Sequence, residues 1–135
     1  MKRYEILEHK ADLKIRAFGK RKRELFLNML FGMAESQKPE IKKIKRIKRK
    51  IKIKSLDSES LLVDFLSEVL YLSQVNKEVY FKIEFDKFAD IEIEGKLIGQ
   101  KVERFGEDIK AVTYYGLDIR QLKNKIWEAT VLFDI

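Results

Sequence analysis

Apolar and polar residues alternate with period two at both ends of the chain and with period three to four in between. Residues 3–8 (RYEILE) and 13–18 (LKIRAF) carry the two-residue alternation of half-buried strands, separated by the polar turn HKAD. From about Lys22 to Ser36 the apolar positions Leu25, Met29, Leu30 and Met33 fall three and four apart, which predicts an amphipathic helix. Pro39 punctuates the chain. A second helix is expected from Asp57 or Ser58, either of which can cap it, to about Asn76, with Leu62, Phe65, Leu66, Val69 and Leu72 on its buried face. Period two then returns in 78–85, 90–99, 109–120 and 126–135, which read as two antiparallel pairs. The order ββαβαββββ predicts an α+β fold with two helices packed on one face of a largely antiparallel sheet. The 135 residues suit a single domain, 1–135. Strand, break and helix recur at an offset of 36 residues (Ile15 to Leu25, Ile51 to Leu61), a loose internal echo.

The stretch 42–54, KKIKRIKRKIKIK, holds nine Lys or Arg and four Ile. Residues 38–54 carry ten basic side chains and one acid, Glu40. The net charge of +7 is therefore concentrated here, because the remaining 19 basic residues meet 21 acidic ones. A basic membrane-surface helix is one reading. It is opposed by β-branched Ile at every apolar position and by repeated like charges at i,i+4, such as Lys42/Arg46 and Lys45/Arg49. The alternation RKIKIK instead predicts a strand with Ile51 and Ile53 facing the core. Lys45, Arg46, Lys48 and Arg49 are candidate nucleic-acid contacts through phosphate. The strip has no aromatic residue on which a base could stack, which favours a solvated strand face whose lysines discourage edge pairing.

Composition narrows the chemistry. With no Cys there is no disulfide, thiolate metal site or thiol nucleophile, and with one His, at position 9, triad catalysis is disfavoured. No P-loop, GxSxG or glycine-rich dinucleotide turn is present. No apolar run approaches the ~18 residues of a membrane span, and no signal peptide is visible; a cytoplasmic location without membrane contact is expected. The carboxylates that stand out are Asp12 in the first turn, Asp64 and Glu68 at i,i+4 on the second helix, and Asp134 beside the carboxylate of Ile135. Were Asp12 to meet Asp134 and Ile135, three like charges would crowd together and call for a proton or a hard cation. On spacing alone, a turn or cap role for Asp12 and a solvated role for Asp64 and Glu68 are the plainer readings.

Four blocks, YEILEHKAD (4–12), LLVDFLSEVLYL (61–72), IKAVTYYGL (109–117) and the final LFDI, together resemble the archease family from Tyr4 to Ile135. The resemblance implies a small α+β protein that is not an enzyme. It would activate the tRNA-splicing RNA ligase, promoting ligase guanylylation and multiple turnover, with no small-molecule substrate of its own. It further implies a divalent cation, Ca²⁺ first and Mg²⁺ or Mn²⁺ as alternatives, held by Asp12, Asp134 and Ile135, and a functional role for Asp12, Lys110 and Asp134. Lys10 and Tyr115 depart from the family pattern, which commonly has Thr and His there. The alternatives are a protein that binds RNA, such as tRNA, through the basic strip or a chaperone-like accessory protein for RNA-modifying enzymes, and, third, a carboxylate hydrolase.

Overall fold

The computed structural model describes residues 1–7, 11–42 and 45–135. The elements are β1 (Tyr4–Leu7), β2 (Asp12–Gly19), α1 (Lys22–Ser36), β3 (Pro39–Ile41), β4 (Ile47–Lys54), α2 (Ser58–Asn76), β5 (Glu78–Phe88), β6 (Glu92–Phe105), β7 (Ala111–Thr113), β8 (Ile119–Gln121) and β9 (Trp127–Asp134). The α+β class and the expected order hold, with short β3 added and the strand expected over 109–120 divided into β7 and β8. The strands form two antiparallel sheets. In the first, β1, β2 and β9 lie side by side, and β7 and β8 both pair with β9. In the second, β6 is central, with β5 and β4 paired along it and β3 pairing near its end.

Alternation decides which side of each strand is buried. Ile15 and Ala17 on β2 and Val131 and Phe133 on β9 enter the core, while Lys14, Arg16, Leu132 and Thr130 take the other face. Helix α1 is buried nearly all round, through Leu25, Phe26, Met29, Leu30, Met33 and also Asn28, Gly32 and Ala34. It can be, because it packs against β2 of the first sheet and β5 of the second. At Gly32 an added Cβ would lie 3.0 Å from the Tyr4 ring and 3.2 Å from Ile15, so any larger residue would push these side chains of β1 and β2 away from α1 by a few tenths of an ångström. Buried Asn28 accepts from Arg3 Nε (2.8 Å) and donates to the Phe18 carbonyl (2.7 Å). Helix α2 begins as expected: the Asp57 side chain accepts the Ser60 N–H at 2.7 Å. The strand–helix units of the internal echo, β2–α1 and β4–α2, fall in different sheets.

The second sheet carries a buried charge. Glu78 on β5 is fully buried. It accepts two hydrogen bonds from Arg49 on β4 (2.9 and 2.8 Å) and one from the Tyr80 hydroxyl (2.5 Å), and Lys101 on β6 lies at 3.4 Å. Burial opposes ionisation of Glu78, but the hydrogen bonds from Arg49 and Tyr80 outweigh it and hold its carboxyl below the ordinary value. Burial, reinforced by Glu78, pushes the Tyr80 hydroxyl up to about 12. One carboxylate therefore ties the sheet's three long strands together.

Removing it leaves Arg49 and Lys101 without their shared counter-ion. Arg49→Ala, which strands the fully buried Glu78 carboxylate, is expected to cost about 3 kcal/mol in urea unfolding at pH 7, and Glu78→Ala less, since the cations it leaves behind are partly exposed. The folded carboxyl titrates below the unfolded value of about 4.5, so its stabilisation is complete above that pH and is lost as pH falls through the folded pKa. The stability gap between the natural protein and Glu78→Gln, measured by unfolding from pH 7 to pH 3, is expected to shrink only below pH ~4.5.

Candidate functional site at one end of the first sheet

Asp12 opens β2 and Asp134 closes β9, and the two are direct register partners. Opposed residues of an antiparallel pair send their side chains to the same face, with Cβ atoms about 4.5–5.5 Å apart, and like charges so placed repel. Asp134 also pairs with Ala111 on β7, so it sits between two strands. The Lys110 N–H donates to the Asp134 carbonyl at 2.7 Å, fixing the backbone just short of Ile135. Ile135 is half-buried against the main core cluster and, with Tyr4, Ile6 and Leu13, lines a cavity of about 420 Å³. Four of the residues singled out in the sequence, Asp12, Lys110, Asp134 and Ile135, thus lie at one end of one sheet. They come from three segments more than 90 residues apart at the extremes.

The electrostatics of this face differ along its length. Farther from the site, Arg16 bridges Glu5 (3.1 Å) and Glu128 (2.9 Å), and Arg120 meets Glu128 at 3.3 Å. At the site, Asp12 is half-buried and has a partner within the chain, whereas exposed Asp134 has no side-chain partner among the described residues. The Lys110 side chain is exposed. The two carboxylate side chains are hard oxygen donors of the kind Ca²⁺ and Mg²⁺ prefer. Among the described residues no three Asp, Glu or His side chains converge as a cage. His9 and Lys10 lie outside the described residues.

Next to this end, β7 and β8 are interrupted. Residues 114–118 face only Thr130 and Val131 of β9, and the excess chain bulges outward with Gly116 at φ +64°. Tyr115 is 81% exposed at its tip. The bulge is anchored at its base, where the Tyr114 hydroxyl donates to Asp64 (2.6 Å) and Ser55 donates to the other oxygen (2.6 Å). The Asp64 carboxylate holds the Tyr114 hydroxyl above its ordinary value. Asp64 is therefore a clamp between β4, α2 and the bulge rather than part of a solvated helix face. Nothing in the spacing of the sequence announces this long-range pair.

The basic strip divides in two. On β4, Lys48, Lys50, Lys52 and Lys54 are exposed and Ile51 is buried, as the alternation requires. Lys48 pairs with Glu84 (3.5 Å) and Lys52 with Glu94 (3.2 Å). Arg49 does not join the solvent face; its guanidinium is committed to Glu78, so as a phosphate contact it is the least available of the four candidates. Lys45 and Arg46 are exposed and without an ion pair among the described residues. Among the described residues no helix is long and apolar enough to cross a membrane.

Known proteins supply the remaining context. The model of the Archease protein family matches residues 4–135. The chain is 37% identical to protein archease of Methanosarcina barkeri, covering 99% of this chain and 97% of that one, and 31% identical to protein archease of Pyrococcus furiosus, covering 100% of each. Its fold is that of Methanobacterium thermoautotrophicum protein 1598 in solution (TM-score 0.72, 23% identity, 100% of each chain). It is also that of a Thermotoga maritima crystal structure described as an archease, possible chaperone (TM-score 0.69, 19% identity, 96% and 94% of the chains). A family match across nearly all of the chain and a shared fold, together with Asp12, Lys110 and Asp134 gathered at one sheet end, lead to one statement: this chain belongs to the archease family.

Proposed function

We propose that this protein is an accessory factor rather than an enzyme, and that it activates the tRNA-splicing RNA ligase through the sheet end formed by Asp12, Asp134, Ile135 and Lys110. The observation that supports this most is the register pairing of Asp12 with Asp134. Two carboxylates held opposite each other, with a third expected beside them, make an electronegative tip suited to a divalent cation. Such an ion would supply concentrated positive charge where a nucleotide phosphate is handled. The chain's own residues have simpler tasks. Asp12 and Asp134 hold the ion, β2 and β7 on either side of β9 keep the tip rigid, and Lys110 adds an exposed ammonium for a phosphate oxygen. The chaperone wording attached to the Thermotoga maritima protein is compatible with a protein partner.

A ligation assay under limiting ligase, with tRNA halves as substrate, tests the reading. Added protein is expected to raise ligase guanylylation and turnover; no stimulation would overturn it. Asp12→Ala and Asp134→Ala are each expected to lower stimulation and calorimetric Ca²⁺ affinity by more than about 10-fold, the scale on which even residues that merely orient metal ligands act. Lys110→Ala keeps its backbone N–H, so it is expected to reduce stimulation while Ca²⁺ affinity stays within about 3-fold. Replacing Lys45 and Arg46 together by Ala is expected to leave stimulation intact; its loss would shift the reading to RNA binding through the basic strip.

A further inference from the structure

A second cavity, apart from the Asp12–Asp134 tip, lies where the two helices end. It has a volume of about 320 Å³ and is lined by Gln37 after α1, Gln74 and Lys77 at the end of α2, Val102–Phe105 of β6, and Glu107, Asp108 and Ile109 of the segment that follows. Gln37 is the unusual feature. It is 2% exposed, and its side-chain amide makes no hydrogen bond among the described residues. The enclosed side-chain polar atoms without a partner among the described residues are Ser73 Oγ and Thr113 Oγ1; the Gln37 amide instead opens on the cavity, where it has no partner from the protein and is free to bind what enters. Its neighbour Gln74 is already satisfied, donating to the Ile109 carbonyl at 2.8 Å.

The charges around the cavity indicate what would fit. Neither helix has a basic residue in its last turn, so both present the negative ends of their dipoles here, relieved by Lys101, which donates to the Asn76 carbonyl at 3.0 Å. Three acids, Glu103, Glu107 and Asp108, face two cations, Lys77 and Arg104, and Arg104 is already paired with Glu40. The balance disfavours an anion and favours a cation. Half-buried Phe105 offers a ring, and the Gln37 carbonyl oxygen offers a planar acceptor. A compact ammonium is strongly hydrated and gains little from either. A guanidinium is planar, weakly hydrated, donates along its edges and stacks on aromatic rings. We propose that this cavity binds a guanidinium group, either of a small molecule or of an arginine side chain presented by a partner protein. It needs no part of the ligase reading.

The test is an NMR titration following the Gln37 side-chain NH₂ signals of the full chain. The probes are agmatine, a terminally blocked tripeptide with a central arginine, n-butylammonium and citrulline. Saturable shifts with a guanidinium probe at a Kd of about 1 mM or tighter are expected, with citrulline and n-butylammonium at least ~10-fold weaker. Agmatine alone binding identifies a small-molecule site; the peptide binding as well or better identifies a partner's arginine. Gln37→Leu is expected to weaken binding by about 10-fold or more. Should that variant not fold, Asp108→Asn at an exposed position is expected to weaken it by about 3-fold or more. No saturable shift with either guanidinium probe, or equal binding of citrulline or n-butylammonium, overturns the inference.

Discussion

The pairing of β2 with β9 is the contact on which the first sheet and the meeting of Asp12 with Asp134 both depend. Eight register pairs run from Asp12–Asp134 to Gly19–Trp127, joining two of the most distant segments of the chain. A slip of β2 by one residue against β9 would turn Ile15 and Ala17 out of the core and bring Lys14 and Arg16 in. Hydrophobic burial on one face therefore enforces the opposition of two like charges at the strand ends on the other.

The second sheet solves a different problem. Its outer strand β4 is dense with lysine, which discourages pairing with other chains, yet it must still be held to the rest. Arg49 does this by turning inward to Glu78, while Lys48 and Lys52 meet acids on β5 and β6. Three of the charges that looked like a nucleic-acid grip in the sequence, Lys48, Arg49 and Lys52, are thus paired within the sheet, while Lys42, Lys45, Arg46, Lys50 and Lys54 carry no ion pair among the described residues. The sheet is tied by side-chain ion pairs as well as by its backbone ladder.

The periodicity made most of this fold legible. Both helices, the Asp57 cap, the inward side of Ile51 and the pairing of the last strands follow from local spacing, because burial on one face imposes period two or 3.6. The division into two sheets was not legible, since nothing local tells a strand which distant neighbour it will meet. Arg49 sits at a core-facing position, but only the presence of Glu78 across the sheet makes an inward charge tolerable. Asp12, Lys110, Asp134 and Ile135 were visible as candidates through family resemblance, while their approach depends on a register no spacing encodes. The Tyr114–Asp64 clamp and the buried Gln37 amide left no trace in the pattern at all.

The position of β9 has a consequence for the protein as it is made. The strand that fills the middle of the first sheet comes after every other element in chain order. While the nascent chain emerges from the ribosome, the hydrogen-bonding edge of β2 waits unpaired with Ile15 and Ala17 beside it, and the β7 and β8 segments have no strand to join. The second sheet and α2 can assemble in that interval, whereas the first sheet closes in a single late event. The electronegative tip, completed by the same event, cannot exist on a half-made molecule.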